Sequence, residues 1–282
     1  MTDIQFISGK QPRRGPPKPL LDPVNRIILF WMHRCGSTTG QLWFFHVAGW
    51  EKRMKGKGAS QLAPEWYDEH AQAYEHLHEY YRDPAFLKIA VVRDPMERAV
   101  SAYTVVTDTI SGSQWRAASR SIAEPDDERR LSFNEFLDFL ETENLATANY
   151  HWRLQTAQDC FDLALPDLQL ARVETLQEDL DRLAKRMGKK PVAMRINSAQ
   201  TKVEAAPRDL DVTSLVRSDF LKLFGVDKRG VIRFPHYSRF LTEKTIPRLA
   251  KLYARDFEIL GYGPLPAKNM GTPLDPKNLT RR

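Results

Sequence analysis

The sequence predicts an α/β fold built on a central parallel sheet with helices on its faces. Three short apolar, β-prone runs, at residues 26–32, 86–92 and 168–174, are each followed by a helical pattern. Strands that alternate with helices imply parallel pairing, because a parallel neighbour is reached only through a long crossover. The first run, RIILFWM, is continuously apolar rather than alternating, as expected of a strand covered on both faces.

The polar turn HRCGST follows that first run, and TGQLWFFHVAG then reads as a helix apolar almost all round, with Gly49 as its stop. In the second unit FLKIAVV runs into RDPMERAVSAYTVV, where Asp94 is placed to cap the helix and Pro95 suits its first turn. The third strand, LQLARVE, leads into TLQEDLDRLAKRMG, with acids early, bases late and Gly188 at the end. SFNEFLDFLET and a last pattern around TEKTIPRLAKLYARDFEILGY read as further helices, and no repeat or low-complexity tract interrupts the order. One domain is expected over residues 26–263. Five prolines between Pro12 and Pro23, beside Arg13, Arg14 and Lys18, predict an extended basic arm over 1–25. Residues 264–282 read as a tail and the polar stretch 111–130 as a loop or lid.

A chain of 282 residues with 42% apolar positions is long enough to bury a full core. Its 42 Lys and Arg against 36 Asp and Glu give a net charge of +6, which suits anionic ligands. That excess falls short of the dense basic stripe of a nucleic-acid binder, and no such partner is expected. Cys35 and Cys160 lie too far apart for a zinc pairing or a disulfide framework. No apolar stretch has the length of a bilayer span and the first residues lack a secretory signal pattern, so a cytoplasmic location is expected.

Two turns carry chemistry. In Arg34-Cys35-Gly36-Ser37-Thr38-Thr39, small residues entering a helix let backbone N–H groups converge on a phosphate, with the helix dipole, three hydroxyls and Arg34 adding attraction. An ordinary capped strand-to-helix turn uses the same residues, and this segment alone leaves both readings open. It lacks the spacer and Gly-Lys-Ser/Thr ending of the triphosphate P-loop, which disfavours a kinase or ATPase. In the second turn Arg93 stands at a strand's carboxyl end with Ser101 two helical turns on, both in reach of one anion; pairing of Arg93 with Asp94 or Glu97 is the plainer alternative. Two anion sites at neighbouring strand ends suit a ligand phosphorylated at both ends.

HRCGSTT resembles the 5′-phosphosulfate loop of the sulfotransferases that use 3′-phosphoadenosine 5′-phosphosulfate (PAPS), where Lys or Arg precedes a Gly-Ser/Thr-Thr segment. RDPMERAVSAY is similar to the 3′-phosphate motif of that superfamily, with its eight-residue separation of Arg and Ser retained. HWRLQ at residues 151–155, VETLQEDL and LYARDFEILGY are similar to segments of its carbohydrate-type branch, and the likeness spans most of residues 26–262.

The resemblance implies a P-loop-like sulfotransferase fold and transfer of a sulfuryl group from PAPS to a hydroxyl or amine of a carbohydrate-like or small-molecule acceptor. Adenosine 3′,5′-bisphosphate (PAP) is then released, and no metal is required. It implies that Arg34, Cys35, Gly36, Ser37, Thr38 and Thr39 hold the phosphosulfate, that Arg93 and Ser101 bind the 3′-phosphate, and that Arg34 stabilises the leaving group's charge. His70, 23 residues before Arg93, and Glu51, shortly after the first helix, are the rival candidates for the catalytic base. His151 and His76 are candidates for acceptor binding. The basic run Lys52, Arg53, Lys55 and Lys57, together with Arg116, Arg120, Arg129 and Arg130, are candidates for attracting an anionic acceptor, and Lys228-Arg229-Gly230 is a further phosphate-contact candidate. Two other functions remain open from the sequence: a non-catalytic PAP- or PAPS-binding module, and a kinase-like phosphoryl transferase on a related scaffold.

Overall fold

A computed structural model describes residues 17–108, 130–194, 202–203 and 209–263. Most of the expected arm (1–16), the 111–130 stretch apart from Arg130, the tail, and Arg116, Arg120 and Arg129 lie outside the described residues.

Four strands form the main sheet in the order β1 (Leu20–Asp22), β2 (Ile27–Phe30), β3 (Leu87–Val92) and β4 (Gln169–Arg172). The three expected strands are β2, β3 and β4, and they pair in parallel. The sheet is not wholly parallel, and its first strand falls inside the segment read as an arm. β1 runs antiparallel to β2, with Leu21 opposite Ile28. Its physical cause is local: Leu20 and Leu21 are fully buried, and Asp22 Oδ1 closes the turn by accepting from the amides of Val24 and Asn25 at 2.9 and 3.0 Å. Pro19 and Pro23 flank a strand of only three residues, and proline is tolerated at such an edge.

The helices in chain order are α1 (Ser37–Val47), α2 (Ala59–Glu69), α3 (Ala71–Glu75), α4 (Leu77–Arg82), α5 (Pro95–Asp108), α6 (Phe133–Thr142), α7 (Asp159–Asp162), α8 (Leu176–Arg186), α9 (Arg217–Phe224), α10 (Thr245–Leu252) and α11 (Ala254–Leu260). The helical segment EHAQAYEHLHEYY is divided, closing α2 and then forming α3 and α4, with breaks at His70 and His76. The last pattern likewise divides at Tyr253 into α10 and α11. Ile27, Leu29, Ile89 and Val91 face α1, α2 and α8, whereas Ile28, Phe30, Ala90 and Val92 pack on Tyr81, Cys160 and Leu260. This alternation is the two-residue period of a strand with both faces covered. A third cluster joins α5, α6 and α10 around Tyr103, Phe133 and Phe240.

Gly40 sets how closely α1 lies on the sheet. A Cβ there meets Val91 Cγ2 at 3.0 Å, inside normal contact. We predict that Gly40→Val lowers unfolding free energy by about 1–3 kcal/mol through overpacking. Urea denaturation checks this, and a variant as stable as the parent contradicts so close an approach.

Candidate functional site

Because β2 and β3 are parallel neighbours, the turns that leave their carboxyl ends emerge side by side. The turn after β2 carries two left-handed residues, Arg34 at φ 68° and Gly36 at φ 61°. Glycine takes that conformation freely, whereas for a residue with a Cβ it costs roughly 1–2 kcal/mol. Gly36 has a second reason to be glycine: an added Cβ comes within 3.2 Å of Val173 Cγ2 and 3.3 Å of Leu176 Cδ2. Several contacts hold Arg34 in its unfavourable conformation. The His33 carbonyl accepts from Arg98 Nε at 3.2 Å, the Arg34 carbonyl faces Arg93 Nη1 at 3.5 Å, and the Cys35 amide donates to the Met32 carbonyl at 3.2 Å.

Gln155 joins this turn to the next. Its Oε1 accepts the Arg93 amide at 2.9 Å and the Cys35 thiol at 3.0 Å, while its Nε2 donates to the Arg93 carbonyl at 2.8 Å. Asp256, fully buried, accepts from the Gln155 amide at 2.9 Å, the Thr156 amide at 3.0 Å and the Thr156 hydroxyl at 2.7 Å. Three donors on one carboxylate offset the cost of burying its charge. The HWRLQ segment thus contributes a structural tie through its last residue. Cys35, expected among the cofactor-binding residues, uses its amide and its thiol inside the protein and offers neither to a ligand.

Three guanidinium groups converge here. Arg34 donates through Nε and Nη2 to the Ser101 hydroxyl at 3.0 and 2.8 Å, and Arg93 Nη2 pairs with Glu97 Oε2 at 3.1 Å. Arg98 is buried and spends its donors on the carbonyls of His33, Arg153 and Tyr150. Burial, then the charges of Arg93 and Arg98, pull the Arg34 guanidinium down to about 10. Such mutual repulsion is relieved by an anion. α1 points its N-terminus into the same place, and Gly36 provides no side chain to cap it. The first-turn N–H groups of a helix lack intrahelical acceptors, and the dipole favours negative charge there. Ser37 is half-buried, Thr38 is exposed and Thr39 is buried.

Beyond Arg93 lies a small cavity lined by Asp94, Glu97, Glu174, Tyr237 and Tyr262. Asp94 Oδ1 caps α5, as expected, by accepting from the amides of Met96 and Glu97 at 2.8 and 3.0 Å. Burial, with Glu97 and Glu174 nearby, raises its carboxyl to about 6.

The candidate bases sit elsewhere. His70 ends α2, stacks on Trp66 at 3.8 Å, and places Nδ1 3.0 Å from the Trp66 carbonyl. Trp66 packs on Phe44, Phe45 and Trp50, at the far end of α1 from Gly36 and roughly 16 Å along the helix. Glu51 lies at that same end, 3.7 Å from His46 Nδ1. His76 is exposed beside Glu79, 3.1 Å away. His70, Glu51 and His76 are therefore not brought to the cradle, because α1 carries the chain from one edge of the sheet to the other before any of them occurs. The basic run shares that distant end: Arg53 pairs with Glu69 and lies over the Trp50 ring, and Lys57 pairs with Glu65 at 2.7 Å. Arg229 pairs with Asp227 at 2.9 Å in a turn whose Ile232 amide meets Asp108, at the opposite end of α5 from Arg93.

His151 does reach the site. Its ring lies 4.8 Å from that of His33, which in turn contacts Tyr150 at 4.3 Å. Arg98, Gln155, His33 and Tyr150 were not singled out from the sequence. His33, Arg98 and Gln155 stand within quoted motifs, which was the available signal, although within its motif Arg98 reads as an ordinary charge on a helix.

Compared with known proteins, the chain matches a family model described as the sulfotransferase family over residues 20–263. No curated protein and no solved structure matches it.

Burial, then nearby Arg98 and Arg34, pulls the His33 imidazole down to about 4; burial, then His33, Arg34 and Arg98, pulls His151 down to about 3. Both lie below the unfolded value, so their contribution to stability is complete above about pH 6.5 and is lost as pH falls toward 4, at up to about 1.4 kcal/mol per pH unit for each ring. We predict that His151→Phe flattens this acid-side decline in urea titrations between those limits. Equal slopes for parent and variant contradict the buried neutral imidazole.

Proposed function

The chain belongs to the sulfotransferase family and is a PAPS-dependent sulfotransferase; from that premise we propose that it sulfates a hydroxyl or amine of a carbohydrate-like or small-molecule acceptor by in-line displacement. The observation that supports this reading is the pairing of two cationic strand tips, Arg34 and Arg93, tied together by one Gln155 side chain. In this reading the amides and hydroxyls of Gly36, Ser37, Thr38 and Thr39 hold the 5′-phosphosulfate, and Arg93 with Ser101 holds the 3′-phosphate. Arg93 pairs with Glu97 and Ser101 with Arg34, so in this reading nucleotide binding exchanges these internal partners for phosphate oxygens.

Arg34 stabilises the negative charge that builds on the bridging oxygen as the S–O bond breaks, an interaction stronger in the transition state than in the ground state. As a guanidinium it acts through charge and hydrogen bonds rather than by giving up a proton. In this reading charge neutralisation rests with guanidinium and backbone N–H groups.

Incubation with radiolabelled PAPS and a panel of sugars, lipids and phenols tests the reading. We predict labelled product with at least one acceptor, and a roughly 10- to 100-fold loss of adenosine 3′,5′-bisphosphate affinity in Arg93→Ala, the cost of losing charged hydrogen bonds. Calorimetry that shows tighter binding of ATP than of the bisphosphate overturns the assignment in favour of a kinase-like transferase. Tight bisphosphate binding with no turnover on any acceptor favours the non-catalytic module.

A further inference from the structure

In-line transfer to a hydroxyl needs a group beside the sulfuryl position to take the acceptor's proton, and the structure leaves His70 and Glu51 at the distant end of α1. We propose that His33 is the general base, its imidazole held at the tip of β2 beside Arg34 and presented to the acceptor. This rests on the assignment of Arg34 to the leaving group.

Three observations place it there. His33 is the residue before Arg34, and its carbonyl is pinned by buried Arg98 at 3.2 Å, so its backbone cannot swing away. Its half-buried ring is oriented by three aromatic neighbours, Trp31 at 5.4 Å, Tyr150 at 4.3 Å and His151 at 4.8 Å, rather than by a hydrogen bond. Among the described residues no group bonds to the ring nitrogens, which leaves them for an incoming donor. The charged and titratable groups facing the ring are Arg34 from its own turn, Arg98 from α5, and His151 with Tyr150 from the 149–156 loop.

A lone pair on the acceptor oxygen forms the new O–S bond while the bond from sulfur to the phosphate's bridging oxygen breaks, and that electron pair leaves with adenosine 3′,5′-bisphosphate. The acceptor's proton passes to a His33 ring nitrogen and from there to solvent. Burial, then the charges of Arg98 and Arg34, holds the imidazole at about 4 and so neutral, the form a base requires. Anionic nucleotide at Arg34 offsets those positive charges, so the ring becomes a stronger base only when donor is bound.

Two measurements test this. Proton NMR of the His33 ring across pH, with and without adenosine 3′,5′-bisphosphate, reads the coupling without any acceptor; the expected result is a titration midpoint about one pH unit or more higher with nucleotide. A midpoint that does not move while the nucleotide binds overturns the proposal. For turnover, PAPS is supplied with the sugar or phenol that the parent protein sulfates fastest. His33→Ala is expected to lower kcat roughly 100- to 10,000-fold. Its bisphosphate affinity should stay within threefold of the parent, and added imidazole should restore part of the rate. Unchanged kcat, or no rescue by imidazole, overturns the base assignment. Loss of bisphosphate affinity with kcat assigns His33 to shaping the Arg34 turn instead. Failure of the parent protein itself to bind bisphosphate is different, since it removes the nucleotide reading on which His33 depends.

Discussion

The Gln155 carboxamide accepts the Arg93 amide and the Cys35 thiol on one oxygen and donates to the Arg93 carbonyl through its nitrogen, so one buried side chain bridges the turns after β2 and β3, beside the Arg98–His33 and Arg34–Ser101 contacts. Asp256 fixes Gln155 in turn from α11. A parallel sheet delivers two strand ends to one edge but does not set their turns against each other, because the chain between them runs away through several helices. The tie does so with groups whose loss leaves buried polar atoms without partners, at roughly 1–3 kcal/mol each.

On that frame rests a cluster of positive charge with little negative charge paired directly to it among the described residues. Burial, then the charges of Arg93 and Arg98, depresses the Arg34 guanidinium, and among the described residues Glu97 alone forms an ion pair with one of the three. The uncapped α1 terminus adds its dipole to the same region. In the proposed reading a bisphosphorylated donor meets Arg34, Arg93 and the α1 terminus together, while Arg98, its donors spent on the carbonyls of His33, Arg153 and Tyr150, holds the turn in shape. The histidine pair beside them is held neutral by burial and those same charges.

Much of this was legible in the sequence where the cause is local. The β2, β3 and β4 runs, the helix starts, the Asp94 cap and the Gly49 and Gly188 stops follow from periodicity and capping within a few residues. β1 was not legible, because three residues between prolines give no period to read. Gln155 and Asp256 act across separations of 62 to 120 residues, and neither residue type announces a distant partner. Spacing along the chain suggested that His70 lies near Arg93, and for the same reason it does not: the 23 residues between them measure contour rather than distance, and α3, α4 and β3 intervene. His33 stood inside the quoted turn, but its importance comes from Arg98 and from the ring contacts of the 149–156 loop.

The central claim, that one nucleotide bridges the two strand tips, is tested most directly by a crystal structure with bound adenosine 3′,5′-bisphosphate. The account requires the 5′-phosphate on the amides of residues 36–39 and the 3′-phosphate on Arg93 and Ser101, with Glu97 displaced from Arg93. A nucleotide seated away from either turn, with the Arg93–Glu97 pair intact, contradicts it.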